Sequence, residues 1–307
     1  MREPEMTQEL QAELHQGVLV RFFGGFYVAA DADGQEYTLR CPKKFRHQRL
    51  SPLVGDAVRF TPGQGEEEGW LVEILPRKTE CIRPPVANVT LLLVSICPSP
   101  EPDLLLVDRL LARAKKQGMK TALIVGKCDL DGGKLLVQMQ EEYRGADCPV
   151  LGVSARNKEG LDSVRALMRG ADCCCLAGQS GVGKSTLLNA LLDLQLETGE
   201  ISEKIQRGKN TTRYAQLLIH DGIRVLDTAG FSLLETEKGM EPEKLQELYP
   251  EFQPYIGQCR FQPCLHDHEP GCAVTQAVQA GEIDGNRVAR YRELLADVRL
   301  AWKNRYQ

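Results

Sequence analysis

The sequence predicts a multidomain chain: a small closed β-barrel, then an α/β domain on a parallel sheet, then a mostly helical domain. Three observations carry this. Five short runs rich in β-branched and aromatic residues lie between turn residues in the first part of the chain. From about Val89 onward, continuous apolar runs alternate with helical periodicity. A cysteine–histidine cluster sits in the last part. At 307 residues the chain is too long for one small domain.

The barrel is expected over residues 17–77, after a polar, acidic and flexible segment 1–16. Its strands read as Gly17–Phe23, Phe26–Ala30, Gln35–Cys41, Asp56–Phe60 and Gly69–Leu75. Gly24-Gly25 and Asp33-Gly34 favour positive φ and mark hairpin turns. Trp70, Val72 and Ile74 alternate as a half-buried strand requires. Five short strands of this kind suit a barrel of the OB or SH3-like type. Between the third and fourth strands, Lys43, Lys44, Arg46 and Arg49 surround Phe45 and His47. These residues alone weigh equally for a nucleic-acid loop and for a solvated loop with no partner. Arg77–Val89, with Pro84-Pro85, reads as a linker.

Composition narrows the function classes. A net charge of −4, with 42% hydrophobic and 26% charged residues, describes a soluble protein with no bulk attraction to nucleic acid. Any RNA contact must come from local basic patches. No apolar run approaches the ~18 residues of a membrane span. Met1 to Gln16 lacks the apolar core of a signal peptide. Eleven cysteines without such a signal point to a reducing, cytoplasmic setting, where thiols and metal sites outnumber disulfides.

The α/β domain is placed at residues 78–239. Val89–Cys97 is an apolar strand of the type buried on both faces. A helix over Leu104–Gln117, a strand over Thr121–Val125, a helix near Leu135–Tyr143, a strand over Pro149–Val153 and a helix over Leu161–Arg169 follow. Next comes the strand Ala171–Ala177, whose Cys173-Cys174-Cys175 reads as core packing rather than a metal or redox site.

That strand leads into Gly178-Gln179-Ser180-Gly181-Val182-Gly183-Lys184-Ser185, a match to G-x-x-x-x-G-K-[ST], and then Thr186 within the helix Ser185–Leu192. Glycines let the backbone N–H groups wrap a phosphate, and the helix N-terminus adds partial positive charge. Lys184 is expected to neutralise β/γ oxygens and the Ser185 hydroxyl to hold Mg²⁺. Downstream, Asp227-Thr228-Ala229-Gly230 ends a strand as D-x-x-G, with Asp227 placed to hold Mg²⁺ through water and the Gly230 N–H placed at the γ-phosphate. Between the two motifs, Thr211 or Thr212 is a candidate to close over the ion.

Guanine is normally selected by N-K-x-D, whose aspartate accepts from the base N1–H and N2–H₂. Here the match is Gly126-Lys127-Cys128-Asp129, with Ser154-Ala155 after the next strand as the backbone contact to the guanine carbonyl. Glycine in place of asparagine removes one amide, a loss of about 1–2 kcal/mol. These base motifs precede the phosphate loop, the reverse of the usual order. A parallel sheet can be cut and rejoined this way with every strand in place, and the chain after Gly230 then runs straight into the C-terminal domain, residues 240–307.

That domain holds Cys259, Cys264, His266 and Cys272 as C-x4-C-x-H-x5-C. Three thiolates and one imidazole suit a closed, structural Zn²⁺ site, with His268 as a substitute ligand. The last helix, about Asp284 to Arg305, carries Arg287, Arg290, Arg292, Arg299, Lys303 and Arg305 and reads as a solvated basic face.

Barrel, rotated nucleotide site and cysteine–histidine cluster in this order resemble the bacterial ribosome small subunit-dependent GTPase A family (RsgA, also YjeQ). The likeness extends through Val54-Gly55-Asp56, Arg83–Val89, Gly178–Thr186, Asp227–Ser232 and Cys259–Val274. The resemblance implies a GTPase acting late in assembly of the 30S ribosomal subunit and stimulated by it. It also implies an OB-fold barrel on 16S rRNA, which adds weight to Lys43–Arg49; a cytoplasmic monomer that binds GTP and GDP with Mg²⁺ is the default expectation. Three positions depart from the family pattern: Gly126 for asparagine, Asn210 where many members carry histidine, and Ala229 for proline. Phe231 follows D-x-x-G where many GTPases place the glutamine that orients water. A slow intrinsic rate is therefore expected, with Arg207 and Arg213 as in-chain candidates for charge stabilisation. The rival readings are a nucleotide-gated RNA-binding factor with little hydrolysis and an ATP-dependent phosphoryl-transfer enzyme; Asp129 argues against the second.

Overall fold

The computed structural model describes residues 14–43, 45, 50–63, 65, 67–81, 85–193, 215–227 and 240–305. They fall into two compact units, one drawn from Met1–Leu91, Leu167–Cys175 and Gln195–Ser232, the other from Leu92–Ala166, Leu176–Leu194 and Leu233–Gln307.

In the first unit, β1 (His15–Phe23), β2 (Phe26–Ala30), β3 (Glu36–Arg40), β4 (Ala57–Thr61) and β5 (Gly69–Ile74) close a barrel in the order β1-β2-β3-β5-β4. β1 is long enough to pair with both β2 and β4, and a register shift between Leu19 and Arg21 bends it between the two. β3 and β5 run parallel, whereas the other neighbours are antiparallel. This five-stranded Greek-key closure is the OB-fold and decides against the SH3-like alternative. Leu19, Ala29, Leu39, Val58, Phe60 and Leu71 fill it.

Phe45 joins that core at 4% exposure. The aromatic of the basic loop is thus a packing residue and not a platform for a base. Lys43 is exposed, while Lys44, Arg46 and Arg49 lie outside the described residues.

The segment read as a linker is folded back within the same unit. Asp56 is fully buried and accepts from Arg77 Nε (2.7 Å), Arg77 Nη2 (2.8 Å) and the Leu53 N–H (2.7 Å). A buried carboxylate requires such pairing, and the proline pair gave no sign of it. β6 (Glu80–Cys81) and β7 (Val86–Ala87) form a small ribbon. At Gly55 (φ +93°) an added Cβ would lie 2.1 Å from the Ala87 carbonyl oxygen, and Asn88 Nδ2 donates to the Gly55 carbonyl at 2.9 Å. Val54-Gly55-Asp56 is therefore the seat on which this segment packs.

The parallel sheet is built from β8 (Leu91–Ile96), β9 (Lys120–Val125), β10 (Val150–Gly152), β11 (Cys174–Ala177), β12 (Gln216–His220) and β13 (Ile223–Asp227), in the order β10-β9-β8-β11-β13-β12. β9/β10 and β11/β13 are parallel, and β12 closes the edge as an antiparallel hairpin with β13. β8 is buried along its whole length, as its apolar run requires. The crossover helices are α1 (Leu104–Lys116), α2 (Lys134–Glu142) and α3 (Leu161–Arg169), and α4 (Lys184–Leu191) follows β11. Cys173, Cys174 and Cys175 are core residues. Burial pushes the Cys174 thiol up to about 12, and its Sγ lies 3.0 Å from the Arg224 carbonyl.

The C-terminal region begins with two 3-10 segments, Pro242–Leu248 and Pro250–Tyr255, and continues with α5 (Ala273–Gln279) and α6 (Gly285–Lys303). Asp284 caps α6 by accepting from the Asn286 N–H (2.8 Å) and the Arg287 N–H (3.2 Å). Tyr249, Phe252, Tyr291, Leu294, Leu295 and Val298 form its core, which includes Ala112 of α1.

Candidate functional site

The phosphate motif occupies the turn between β11 and α4. Gly178, Gly181 and Gly183 have φ of +134°, +80° and +94°, values that L side chains avoid. At Gly178 a Cβ would also lie 2.2 Å from the Ser95 carbonyl oxygen, so β8 presses directly on the loop. Lys184 opens α4 and turns back over the loop, donating to the Gly178 and Gln179 carbonyls at 2.8 Å each. Burial lowers its pKa. A phosphate oxygen would replace these carbonyls as the partner of the ammonium. Ser185 and Thr186 stand exposed in the first turn of α4, where a helix N-terminus favours an anion.

The base motif follows β9 and reaches the phosphate loop. The Gly126 N–H donates to the Ile96 carbonyl at 2.8 Å, and Lys127 takes φ +55°. Its Nζ donates to Ser99 O at 2.8 Å and Gly181 O at 3.3 Å, and its Cε lies 3.7 Å from where a Gly183 Cβ would stand. The lysine stem thus forms one wall beside the loop. Cys128 N–H donates to Val153 O, and Ser154 Oγ donates to Asp129 Oδ1 at 2.7 Å. Parallel pairing of β9 and β10 makes this possible, because it ends both strands on the same side. The structure therefore sets Lys127 against Gly181 and Gly183 and joins Asp129 to Ser154, the residue before Ala155, at the ends of neighbouring strands. Gly126 is not a forced glycine: a Cβ would meet only Ile96 O at 3.5 Å and Val182 O at 3.9 Å.

Thr211, Thr212 and Gly230 lie outside the described residues, as do Arg207, Asn210, Arg213, Ala229 and Phe231. Asp227 ends β13, and only its backbone is described.

In the cysteine–histidine cluster, Cys259, Cys264, His266 and Cys272 are buried with their ligand atoms within 4.8 Å of one another. His266 Nδ1 lies 3.6, 3.6 and 3.4 Å from the sulfurs of Cys259, Cys264 and Cys272. A single ring nitrogen accepts one thiol proton, so three near-equal distances do not describe thiol hydrogen bonds. They match the edges of a tetrahedron around zinc, roughly 3.5 Å for Zn–S of about 2.3 Å and Zn–N of about 2.0 Å. Backbone N–H groups of Ala273 and His266 point at the sulfurs of Cys259 (3.2 Å) and Cys264 (3.4 Å). Burial pushes the Cys264 thiol up, and a bound cation would favour the thiolate. The residues fit the metal. His268 does not join them: its side chain is 80% exposed beside Asp267.

The basic helix corrects the sequence reading. Arg287 and Arg290 do not lie on a solvated face. Their side chains are 4% and 11% exposed and face Asp108 of α1, Glu142 of α2 and Glu251. Arg287 pairs with Asp108 and donates to Glu251 Oε1 at 2.6 and 2.8 Å. Arg290 Nε donates to Asp108 Oδ2 at 2.6 Å and pairs with Glu142, and Tyr143 donates to Asp108 at 2.7 Å. Burial works against the Arg287 charge, yet Asp108 and Glu251 hold its pKa well above the ordinary value. The one available signal was spacing: Arg287, Tyr291 and Leu294 stand at i, i+4 and i+7, on the apolar face.

A phosphate loop and a guanine-type corner on one sheet, with the corner earlier in the chain, define a circularly permuted P-loop GTPase joined to an OB barrel. The comparisons with known proteins agree. The RsgA GTPase family profile matches residues 74–237, and the RsgA N-terminal domain profile matches residues 16–71. The small ribosomal subunit biogenesis GTPase RsgA of Geobacillus thermodenitrificans is 41% identical over 92% of this chain and 97% of its own. That of Ruminiclostridium cellulolyticum is 39% identical over 91% and 92%. The crystal structure of YjeQ from Thermotoga maritima superposes with TM-score 0.79 at 32% identity, covering 93% of this chain and 98% of that one. YloQ, described as a circularly permuted GTPase, gives 0.77 at 30%, covering 96% and 98%. This chain belongs to the RsgA GTPase family.

Proposed function

We propose that the chain binds GTP between the phosphate loop and the Asp129 corner and hydrolyses it in small ribosomal subunit biogenesis. The observation that carries the reading is the junction made by Lys127, which links the base motif to Gly181 while Asp129 and Ser154 meet beside it. The biogenesis role rests on the names of the relatives, which cover more than nine-tenths of the chain.

Hydrolysis proceeds by in-line attack of water on the γ-phosphate. Charge spreads onto the equatorial oxygens, and Lys184 with the N–H groups of Gly178–Ser185 stabilises it. Ser185 and Asp227 would hold Mg²⁺, which when bound neutralises the β- and γ-oxygens. Thr211 or Thr212 closes over the site, and the Gly230 N–H meets the γ-phosphate. Phe231 offers no group to orient water, so intrinsic turnover is slow and the small subunit raises it. The barrel, with Lys43, Lys44, Arg46 and Arg49, contacts 16S rRNA. Zinc on Cys259, Cys264, His266 and Cys272 is structural, since four protein ligands leave no open position. The protein acts in the cytoplasm as a monomer; among the described residues no helix is long and apolar enough to cross a membrane.

The test is phosphate release from GTP and ATP, with and without purified 30S subunits, beside Lys184→Ala. GTP-selective release that rises with the subunit and disappears in the variant is the expected result. GTP binding without release would identify a nucleotide-gated binding factor instead, and equal use of ATP would overturn the guanine assignment.

A further inference from the structure

The His266 ring addresses two different neighbours. Nδ1 faces the three sulfurs, whereas Nε2 lies 2.8 Å from Oε1 of Gln246. The orientation of that amide is fixed from its other end, because Gln246 Nε2 donates to the Glu243 carbonyl at 3.0 Å. The group turned to the ring is therefore the oxygen, which only accepts. Nε2 must carry the ring proton, and Nδ1 is left with the lone pair that a metal needs.

Beyond these, the Glu269 carboxylate acts on the ring electrostatically and is itself held by the Leu265 N–H at 3.0 Å. Phe252 packs edge-on at 5.7 Å, and the His266 carbonyl accepts from Arg292 Nε at 3.2 Å. Gln246 lies in the 3-10 segment Pro242–Leu248, which is the first described element after Asp227 and so receives the chain from the D-x-x-G motif. Nothing in the spacing of the cysteine–histidine cluster points to a residue 20 positions upstream.

We propose that Gln246 is a positioning residue of the zinc site: it holds His266 in the Nδ1-ligating form and thereby fastens the segment that follows the nucleotide switch to the metal centre. This rests on the zinc reading above. Loss of the contact frees the ring to rotate and change tautomer. It also removes the only side-chain hydrogen bond that links Pro242–Leu248 to a metal ligand among the described residues.

The test uses the full-length chain with Zn²⁺ or Co²⁺ as the probe. Zinc affinity is measured by competition with a chromogenic chelator, the ligand-field spectrum is recorded with cobalt, and amide hydrogen exchange is followed across residues 242–255. Gln246→Leu is expected to weaken zinc binding by about 10–100-fold. It should also alter the cobalt spectrum and remove the protection that zinc confers on residues 242–248. Gln246→Glu keeps an acceptor at that point and should recover most of the affinity, which a purely structural role for the side chain would not give. If the leucine chain does not fold, Gln246→Asn, one methylene too short to reach Nε2, should show the same losses. A wild-type chain that binds no zinc would overturn the metal reading. Zinc binding and a cobalt spectrum unchanged in Gln246→Leu and Gln246→Asn would overturn the role of Gln246 alone.

Discussion

The phosphate loop and the cysteine–histidine cluster are both short motifs, but one is made by the backbone and the other by side chains. In the loop the groups that face a ligand are N–H donors, and their directions are set by three glycines at positive φ. In the cluster they are three sulfurs and one ring nitrogen, supported by side chains that include Gln246. Apart from the Lys184 and Ser185 side chains at its end, a backbone site should tolerate loss of a side chain and fail when a Cβ is added. A side-chain site should do the reverse.

The largest effect is expected from removing the metal. Chelation should abolish the hydrogen-exchange protection of residues 240–305, because metal binding and folding are one process in a small cluster of this type, and leave the barrel intact. Protection that survives chelation would mean that the aromatic core around Tyr249, Phe252 and Tyr291 suffices by itself.

Next comes the buried ion network. Arg287→Ala leaves Asp108 and Glu251 unpaired in the interior, and urea unfolding should report a loss of about 3–5 kcal/mol. Replacing Arg299, which pairs with Asp267 at the surface, should cost under ~1 kcal/mol.

In the loop, Gly178→Ala combines a φ of +134° with a Cβ 2.2 Å from the Ser95 carbonyl. GTP affinity should fall by about a hundredfold, equivalent to ~3 kcal/mol. Ser180→Ala in the same loop should change it less than about threefold, since only its N–H is used. The smallest effect is a gain. A Cβ at Gly126 makes only ordinary contacts with Ile96 O and Val182 O, and Gly126→Asn should tighten GTP by about 5–30-fold, the worth of ~1–2 kcal/mol. Equilibrium binding of a fluorescent guanine nucleotide checks all three.

What the sequence made legible follows the same division. Barrel strands were read to within a residue or two because β-branched runs bounded by Gly-Gly or Asp-Gly turns are local signals, although in β5 the fully buried side chain is Leu71 and not Trp70 or Val72. The phosphate loop and the cysteine–histidine motif were legible because their chemistry lies within eight and fourteen consecutive residues. The supports were not legible, because their partners are distant. Asp56 meets Arg77 across 21 positions, and Arg287 meets Asp108 across 179. A basic helix and a proline-bearing segment carry no mark of the carboxylates they will face. The place of Phe45 in the barrel core was not legible either, since its basic neighbours mark only the loop that carries it.

The central claim is that Asp129, placed ahead of the phosphate loop in the chain, reads guanine. On this account its carboxylate would accept from two N–H groups of the base, and asparagine in its place would offer one donor and one acceptor, the complement of xanthine. The direct measurement is hydrolysis of GTP and XTP at limiting nucleotide by the wild-type chain and Asp129→Asn. The account predicts that the variant loses GTP turnover by at least about a hundredfold, since two charge-assisted hydrogen bonds are worth ~3 kcal/mol or more, and gains turnover of XTP. GTP turnover unchanged in the variant would show that guanine is read elsewhere and would contradict the account.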